Sequence, residues 1–199
     1  MLKINDQIEN WNQFIIEGDM DALSQLYLHY YDLLFAYGEK HTIEKQAVED
    51  AIQNTFINLI KFRKSIGKVK NLTGYLVTSF RRQLFLDIKK QTKANITEIF
   101  PEEHFDLFYS QDQDFSDNEN QEQLYLKIRQ CVNNLTSQQQ EIIYLRFESG
   151  ISYKEISEIL HISIDSCYKS TYRSVKTIRS NVEKVLKNGE KHNSLVHYP

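Results

Sequence analysis

Proline is nearly missing from this chain of 199 residues: Pro101 is the sole internal example, and Pro199 ends the sequence. Glycine occurs six times and cysteine twice. With so few residues to break a helix, and no strand-like alternation of apolar and polar residues, an all-α fold is expected. Cys131 and Cys167 are too few for a disulfide framework and too far from histidine neighbours to suggest a metal site. Cys167 reads as a small core residue. No apolar run exceeds the five residues Leu33–Tyr37, so no membrane insertion is expected. The opening MLKINDQIENW lacks a signal-peptide core. Catalytic signatures are missing as well: the six histidines are scattered, and there is no H-E-x-x-H, no phosphate-binding glycine loop and no G-x-S-x-G. A cytoplasmic, non-enzymatic protein without metal or cofactor is the expectation.

What is present begins with core material: 41% of the residues are apolar or aromatic, enough for one or two domains at this length. The formal net charge of −3 is a sum over unlike blocks. Residues 1–60 carry 3 basic and 10 acidic groups, residues 61–93 carry 10 and 1, and residues 97–123 carry 0 and 9. Residues 124–163 balance at 4 and 4, while residues 164–191 carry 7 and 3. Two basic surfaces separated by an acidic segment indicate partners of opposite charge.

Asp19 is placed to cap a helix whose stripe is Leu23, Leu26, Tyr27, Tyr30, Leu33, Leu34 and Tyr37, either continuous or broken near Tyr30–Asp32. Trp11, Phe14 and Ile15 are expected to pack on it. A second helix, from about Ile43 to Phe62, lines up Ala47, Ala51, Ile52, Thr55, Phe56, Leu59 and Ile60. Its other face shows Glu49, Asp50, Gln53, Asn54 and Asn58, unlike an ordinary lysine–glutamate surface. A lysine-rich loop leads to a third helix near Thr73, with Leu76, Phe80, Leu84 and Ile88 inside. Here Lys61, Arg63, Lys64, Lys68, Lys70, Arg81 and Arg82 interleave with Phe62, Tyr75 and Phe80. Cations beside aromatic rings suit a single strand or a melted duplex, where charge follows the phosphates and rings stack on bases. A solvated basic face over buried aromatics would give the same composition.

Residues 93–121 turn acidic and polar around Pro101 and read as a linker touched with apolar points such as Ile96, Ile99, Phe100, Phe105, Leu107 and Phe108. A second domain then begins with a helix carrying Leu124, Leu126, Ile128, Cys131 and Val132. Thr136 and Gln139 form a capping box before EIIYLRF. Ser152 and Glu155 form another, ahead of Ile156, Ile159 and Leu160. His161-Ile162-Ser163 is the break, with Ser163 or Asp165 free to cap the last helix. On that helix Cys167, Thr171, Ser174, Val175 and Ile178 share an inner side. Asp165, Ser166, Lys169, Ser170 and Arg173 share the other. This is the plan of a helix-turn-helix, although any helical hairpin has two capped amphipathic helices.

Taken in order, these pieces resemble a bacterial sigma factor of the extracytoplasmic-function type, over roughly residues 10–92 and 122–185. VEDAIQNTFINL is similar to the family's D-x-x-Q-[ED]-x-F helix. The resemblance implies that Asp50, Gln53, Asn54 and Phe56 dock on the clamp of the largest catalytic subunit of RNA polymerase core, with Asn54 in place of the usual carboxylate. GYLVTSFRRQLFLDIKK resembles the segment that melts the minus-ten element. The resemblance extends a promoter-DNA role to Lys61, Arg63, Lys64, Lys68, Lys70, Asn71, Tyr75, Arg81 and Arg82. LTSQQQEIIYLRFESGISYKEISEILHISIDSCYKSTYRSVKTIR resembles the fourth region, implying that Ser166, Lys169, Ser170 and Arg173 contact the minus-thirty-five element. His161 replaces a turn glycine, and Ser170 stands where arginine is frequent.

The resemblance thus implies two small helical domains, a region 2-like bundle over 10–92 and a region 4-like helix-turn-helix over 122–187, joined by the acidic linker and followed by a tail over 188–199. It also implies an anti-sigma protein as partner. Two other readings fit the residues: a two-domain helix-turn-helix regulator acting without polymerase, and an interaction module that binds no DNA.

Overall fold

The computed structural model describes residues 4–42, 44–91, 105–107, 126 and 129–193. Most of the expected linker, the helix positions Leu124 and Ile128, Ile43 and the tail residues 194–199 lie outside the described residues. Among the described residues there is no strand. The chain divides into two compact units, residues 1–101 with 154–161, and residues 102–153 with 162–199.

In the first unit, α1 (Ile4–Glu17), α2 (Met20–Gly38), α3 (Lys45–Phe62) and α4 (Leu72–Gln91) are joined by short connections, with a single 3-10 turn at Arg63–Ser65. Asp19 caps α2 as expected: its Oδ1 accepts from the amides of Asp21 at 2.8 Å and Ala22 at 3.2 Å. The stripe runs unbroken through Tyr30–Asp32, so α2 is one helix, and Leu23, Leu26, Tyr30, Leu34 and Tyr37 are buried. Helix α3 buries Ala47, Val48, Ala51, Ile52, Thr55, Phe56 and Leu59. Ile60, expected inside, is exposed, because it lies about 100° round the helix from Leu59, which takes the inward position. Helix α4 contributes Leu76, Val77, Phe80, Leu84 and Phe85 to the same core, with Ile88 half-buried. Trp11 and Phe14 of α1 are buried beside them.

Each of these large side chains contributes roughly 1.5–3 kcal/mol by leaving water. One polar group is folded into the packing: the Tyr30 hydroxyl meets Gln7 at 2.9 Å and Thr73 at 3.1 Å, tying α1, α2 and α4 together. Burial pushes the Tyr30 phenol above its ordinary pKa. At Gly38 a Cβ would lie 2.5 Å from Val48 and 2.9 Å from Phe80, so only glycine lets the end of α2 close on α3 and α4.

In the second unit, residues 129–133 are helical and lead to α5 (Ser137–Ile143). The Thr136–Gln139 capping box is formed, with both reciprocal hydrogen bonds. Helix α5 loosens into a π turn over Tyr144–Glu148, closed by the Ser149 amide donating to the Tyr144 carbonyl at 3.0 Å. Then come α6 (Tyr153–Leu160), whose residues from Lys154 on group with the first unit, and the long α7 (Ile164–Asn193). Helix α7 packs on α5. Cys131, Val132, Leu135, Ile142, Leu145, Ile151 and Cys167 are buried in this unit.

Three residues of the expected linker belong to this packing. Phe105 is buried with its ring 5.6 Å from that of Tyr144. Asp106 pairs with Arg129 at 3.4 Å, and the Leu107 amide donates to Gln140 Oε1 at 3.1 Å.

Candidate nucleic-acid interface

The end of α3, the connection after it and the start of α4 enclose one side of an open groove. Its lining includes Phe62, Lys68, Lys70, Asn71, Tyr75 and Thr78. Asn71 shapes this corner by capping α4, with its Oδ1 accepting from the Gly74 amide at 3.1 Å. Phe62 is 59% exposed at the groove, which leaves much of a large apolar side chain open to a partner. Tyr75 stands edge-on to Trp11 at 5.6 Å, and burial raises its phenol pKa, so it stays neutral and able to donate a hydrogen bond. Lys61, Lys64, Lys68, Lys70 and Arg82 are exposed. The structure therefore gathers Lys68, Lys70, Asn71 and Tyr75 in one place, with Glu158 also in the lining.

Two of the cations expected at DNA are engaged inside the protein. Arg63 Nη1 donates to the carbonyls of Phe14 at 3.2 Å and Ile15 at 3.1 Å, the last turn of α1. The Phe14 carbonyl also accepts from the Gly18 amide at 3.0 Å, so the guanidinium adds a charged donor to the helix end. Gly18, at φ +82°, leaves room for it: a Cβ there would lie 3.0 Å from Arg63 Cζ. Arg81 lies over the Phe85 ring at 5.1 Å.

The polar side of α3 divides in the same way. Asp50 and Gln53 are exposed, and Asp50 accepts from Gln46 Nε2 at 2.9 Å. Asn54 is half-buried and donates to Asp87 Oδ2 at 3.2 Å, an oxygen that also accepts from Gln83 at 2.8 Å. Asn58 donates to Gln83 Oε1 at 3.1 Å, and Lys90 sits 3.4 Å from Asp87. The result is a hydrogen-bonded ladder between α3 and α4 that sequence reading did not find. Phe56 is in the core, its ring 5.0 Å from Tyr27.

At the second surface Ser163 is the cap of α7: its Oγ accepts from the Ser166 amide at 3.0 Å and meets the Ser166 hydroxyl at 2.7 Å. His161, which stands in place of the turn glycine, takes the left-handed conformation, with φ 54°. Cys167, Thr171 and Ser174 are buried, and burial pushes the Cys167 thiol above its usual pKa. Val175, expected on this inner side, is exposed, because it lies about 100° round the helix from Ser174. Asp165, Ser166, Lys169 and Arg173 face water, while Ser170 is half-buried. Lys169 and Asp165 pair at 2.7 Å, both largely exposed, so the bond is weak enough to exchange for another anion. Tyr168 and Tyr172, unremarked among the small inner residues and the basic outer ones, are 55% and 70% exposed.

A helical bundle with a basic, aromatic groove, followed by a helix-turn-helix, is an arrangement suited to nucleic acid at two places. Residues 26–94 match the family model described as Sigma-70 region 2, and residues 125–178 match Sigma-70, region 4. The chain belongs to the sigma-70 family of RNA polymerase sigma factors, and within it to the extracytoplasmic-function type. It is 24% identical over 165 residues to RNA polymerase sigma factor YlaC of Bacillus subtilis (strain 168), covering 82% of this chain and 94% of that protein. Its fold is similar to that of the sigma factor RpoE in complex with the anti-sigma factor NepR from Bartonella quintana. That match has a TM-score of 0.52 and 19% identity, over 80% of this chain and 96% of that one. A second similar structure is CnrH in complex with the cytosolic domain of CnrY, with a TM-score of 0.58 and 15% identity over 92% and 97% of the two chains. Among the described residues no helix is long and apolar enough to cross a membrane.

Proposed function

We propose that this sigma factor attaches to RNA polymerase core through the exposed part of the α3 polar face, with Asp50 and Gln53 at its centre, and brings promoter DNA to both surfaces described above. Asn54 and Phe56 hold that face in register from within, Asn54 through Asp87 and Phe56 through the core. The groove of Phe62, Lys68, Lys70 and Tyr75 takes bases of the downstream element as they leave the stack, a step costing a few kcal/mol per base. The lysines neutralise the phosphates of that strand. The exposed side of α7, with Ser166, Lys169 and Arg173, enters the major groove of the upstream element. Ser170, half-buried, sits at the edge of that surface.

Sigma factors are transcription initiation factors, and the polymerase supplies the chemistry. The protein acts in the cytoplasm, where the polymerase is. Because both solved relatives were captured in complex with another protein, one of them a named anti-sigma factor, this chain too is held inactive by an anti-sigma partner.

One observation separates this reading from that of an ordinary regulator: the aromatic, basic groove. A protein that only grips duplex DNA has no use for exposed rings beside lysines on a concave surface. The test is co-purification with core from the host, followed by run-off transcription on genomic fragments. Binding to core and initiation at a shared pair of motifs is the expected result. Duplex binding without any association with core would replace this function by that of a regulator.

A further inference from the structure

On α7 the buried residues Cys167, Thr171 and Ser174 fix which side of the helix faces inward. At about 100° per residue, Tyr168 and Tyr172 fall on the outward side, one turn apart, next to Lys169, Arg173 and Lys176. A solvated helix face has little reason to leave two large rings in water at 55% and 70% exposure. Tyr168 is also held in place. Its ring centroid is 4.2 Å from that of Tyr153, and Arg146 lies over the Tyr153 ring at 4.9 Å. Arg146 in turn donates to the Ile151 carbonyl at 3.2 Å. Tyr168 thus stands on a braced ledge at the start of the helix, with Tyr172 one turn further on, within the turns that meet base edges in a helix-turn-helix.

The charge around them selects the occupant. Residues 164–191 carry 7 basic groups against 3 acidic ones, which suits a polyanion rather than an apolar protein surface. The first turns of α7, IDSCYKSTYR, contain no Asn or Gln, the residue types that pair with adenine. Lys169 and Arg173 have the donors for guanine or for phosphate. What remains for an aromatic edge in the major groove is the C5-methyl of thymine, the apolar group on that surface of the duplex. We propose that Tyr168 and Tyr172 read thymine methyl groups of the upstream promoter element and so set much of this factor's sequence preference. The inference rests on the promoter-binding function of α7 given above, and it assigns those two residues a task for which the sequence provided no indication.

The experiment uses holoenzyme reconstituted from the full chain and host core, with a promoter recovered by run-off transcription. Thymines of the upstream element are replaced by deoxyuridine, which removes the methyl and nothing else, and competition binding compares the two duplexes. Wild type is expected to bind the deoxyuridine duplex about fourfold more weakly for each contacted methyl, from roughly 0.8 kcal/mol per buried carbon group. Tyr172→Ala should lower that ratio about fourfold, by the share of one methyl, and Tyr172→Phe should keep it, since the ring and not the hydroxyl makes the contact. Equal binding of both duplexes by wild type would overturn the proposal, as would an unchanged ratio in Tyr172→Ala. Loss of the ratio in Tyr172→Phe would overturn it by moving the contact to the hydroxyl. Weaker assembly of Tyr172→Ala with core in the absence of DNA would place the ring on protein and overturn it too. In each of these cases initiation by wild-type holoenzyme continues, so the family function stands. Failure to initiate at all removes both.

Discussion

The two basic surfaces of this protein differ in shape more than in charge. The first is concave: lysines rim a groove into which Phe62 and Tyr75 are presented. The second is convex: a helix with Lys169, Arg173 and two tyrosines standing off its side. A groove of ring faces gains from bases that have been taken out of a duplex, because every base has a face to stack. A helix flank gains from base pairs that remain stacked, whose edges line a major groove about as wide as a helix. Net charge alone, +9 over residues 61–93 and +4 over residues 164–191, would have suggested one kind of contact at two strengths. Under the proposed function, these shapes suit two forms of the same DNA, melted and intact.

The comparison breaks most visibly if each surface is removed in turn. Lys68→Ala with Lys70→Ala and Tyr75→Ala should lower promoter opening by about 100-fold, a loss of one stacking contact and two phosphate contacts. Permanganate reactivity of the downstream thymines reports it, while protection of the upstream element persists. Because Tyr75 also packs on Trp11, the pair Lys68→Ala and Lys70→Ala alone is the control, and it should retain native stability while losing part of the effect. Lys169→Ala with Arg173→Ala should do the reverse. Holoenzyme affinity for promoters with an upstream element should fall about tenfold, with the salt slope reduced by about 2. A template already melted downstream should open normally. If both sets of changes affected binding and opening alike, the two surfaces would not be divided by DNA form.

Much of this was legible in the sequence, because helical period and capping chemistry are local. The stripe of α2, the Asp19 cap and the Thr136–Gln139 box follow from residues within a turn or two of each other, and local sequence narrowed the α7 cap to Ser163 or Asp165. What escaped was set by distance along the chain. Arg63 meets Phe14 across 49 residues, and Asn54 meets Asp87 across 33. A cation in a strongly basic block reads as a ligand for phosphate until the helix end that it completes is seen. Asp19 marked the start of α2, but nothing marked the helix end before it or its partner. At Phe56 the period and the docking motif pointed to different jobs, and the structure puts the side chain in the core as the period required. Tyr172 escaped for another reason: the faces of α7 were read from its small and its charged residues, and a tyrosine belongs to neither set.

A smaller effect sharpens the account of the first surface by separating its structural cations from its ligand cations. Arg63→Ala should destabilise the protein by about 2 kcal/mol, since two carbonyls of α1 lose a charged donor and the guanidinium no longer covers Gly18. Chemical denaturation measures that loss. The salt slope of promoter binding should stay as in wild type, where Lys64→Ala next to it should lower the slope by about 1 with stability unchanged. A lower slope in Arg63→Ala at unchanged stability would return this arginine to the DNA.

The smallest of these effects concerns the ladder that holds the polar face of α3 to α4. Where the family has a carboxylate this chain has Asn54, whose amide donates to Asp87 at 3.2 Å. Asn54→Asp exchanges that donor for a second carboxylate against the first, with Gln83 and Lys90 the groups left to offset it. Like charges so close push one of the two carboxyl pKa values above its ordinary range. A carboxyl whose pKa is raised by folding binds its proton more tightly in the native state than in the unfolded chain. Stability relative to wild type is therefore lowest at neutral pH and recovers as pH falls through the raised value towards about 4. The expected deficit is about 1 kcal/mol at pH 7, read by urea denaturation of variant and wild type at a series of pH values. A deficit that did not shrink with acid would mean that the loss comes from packing. An absence of any deficit would mean that the ladder does not fasten α3 to α4, and that Asn54 is as free to meet the polymerase as Asp50 and Gln53.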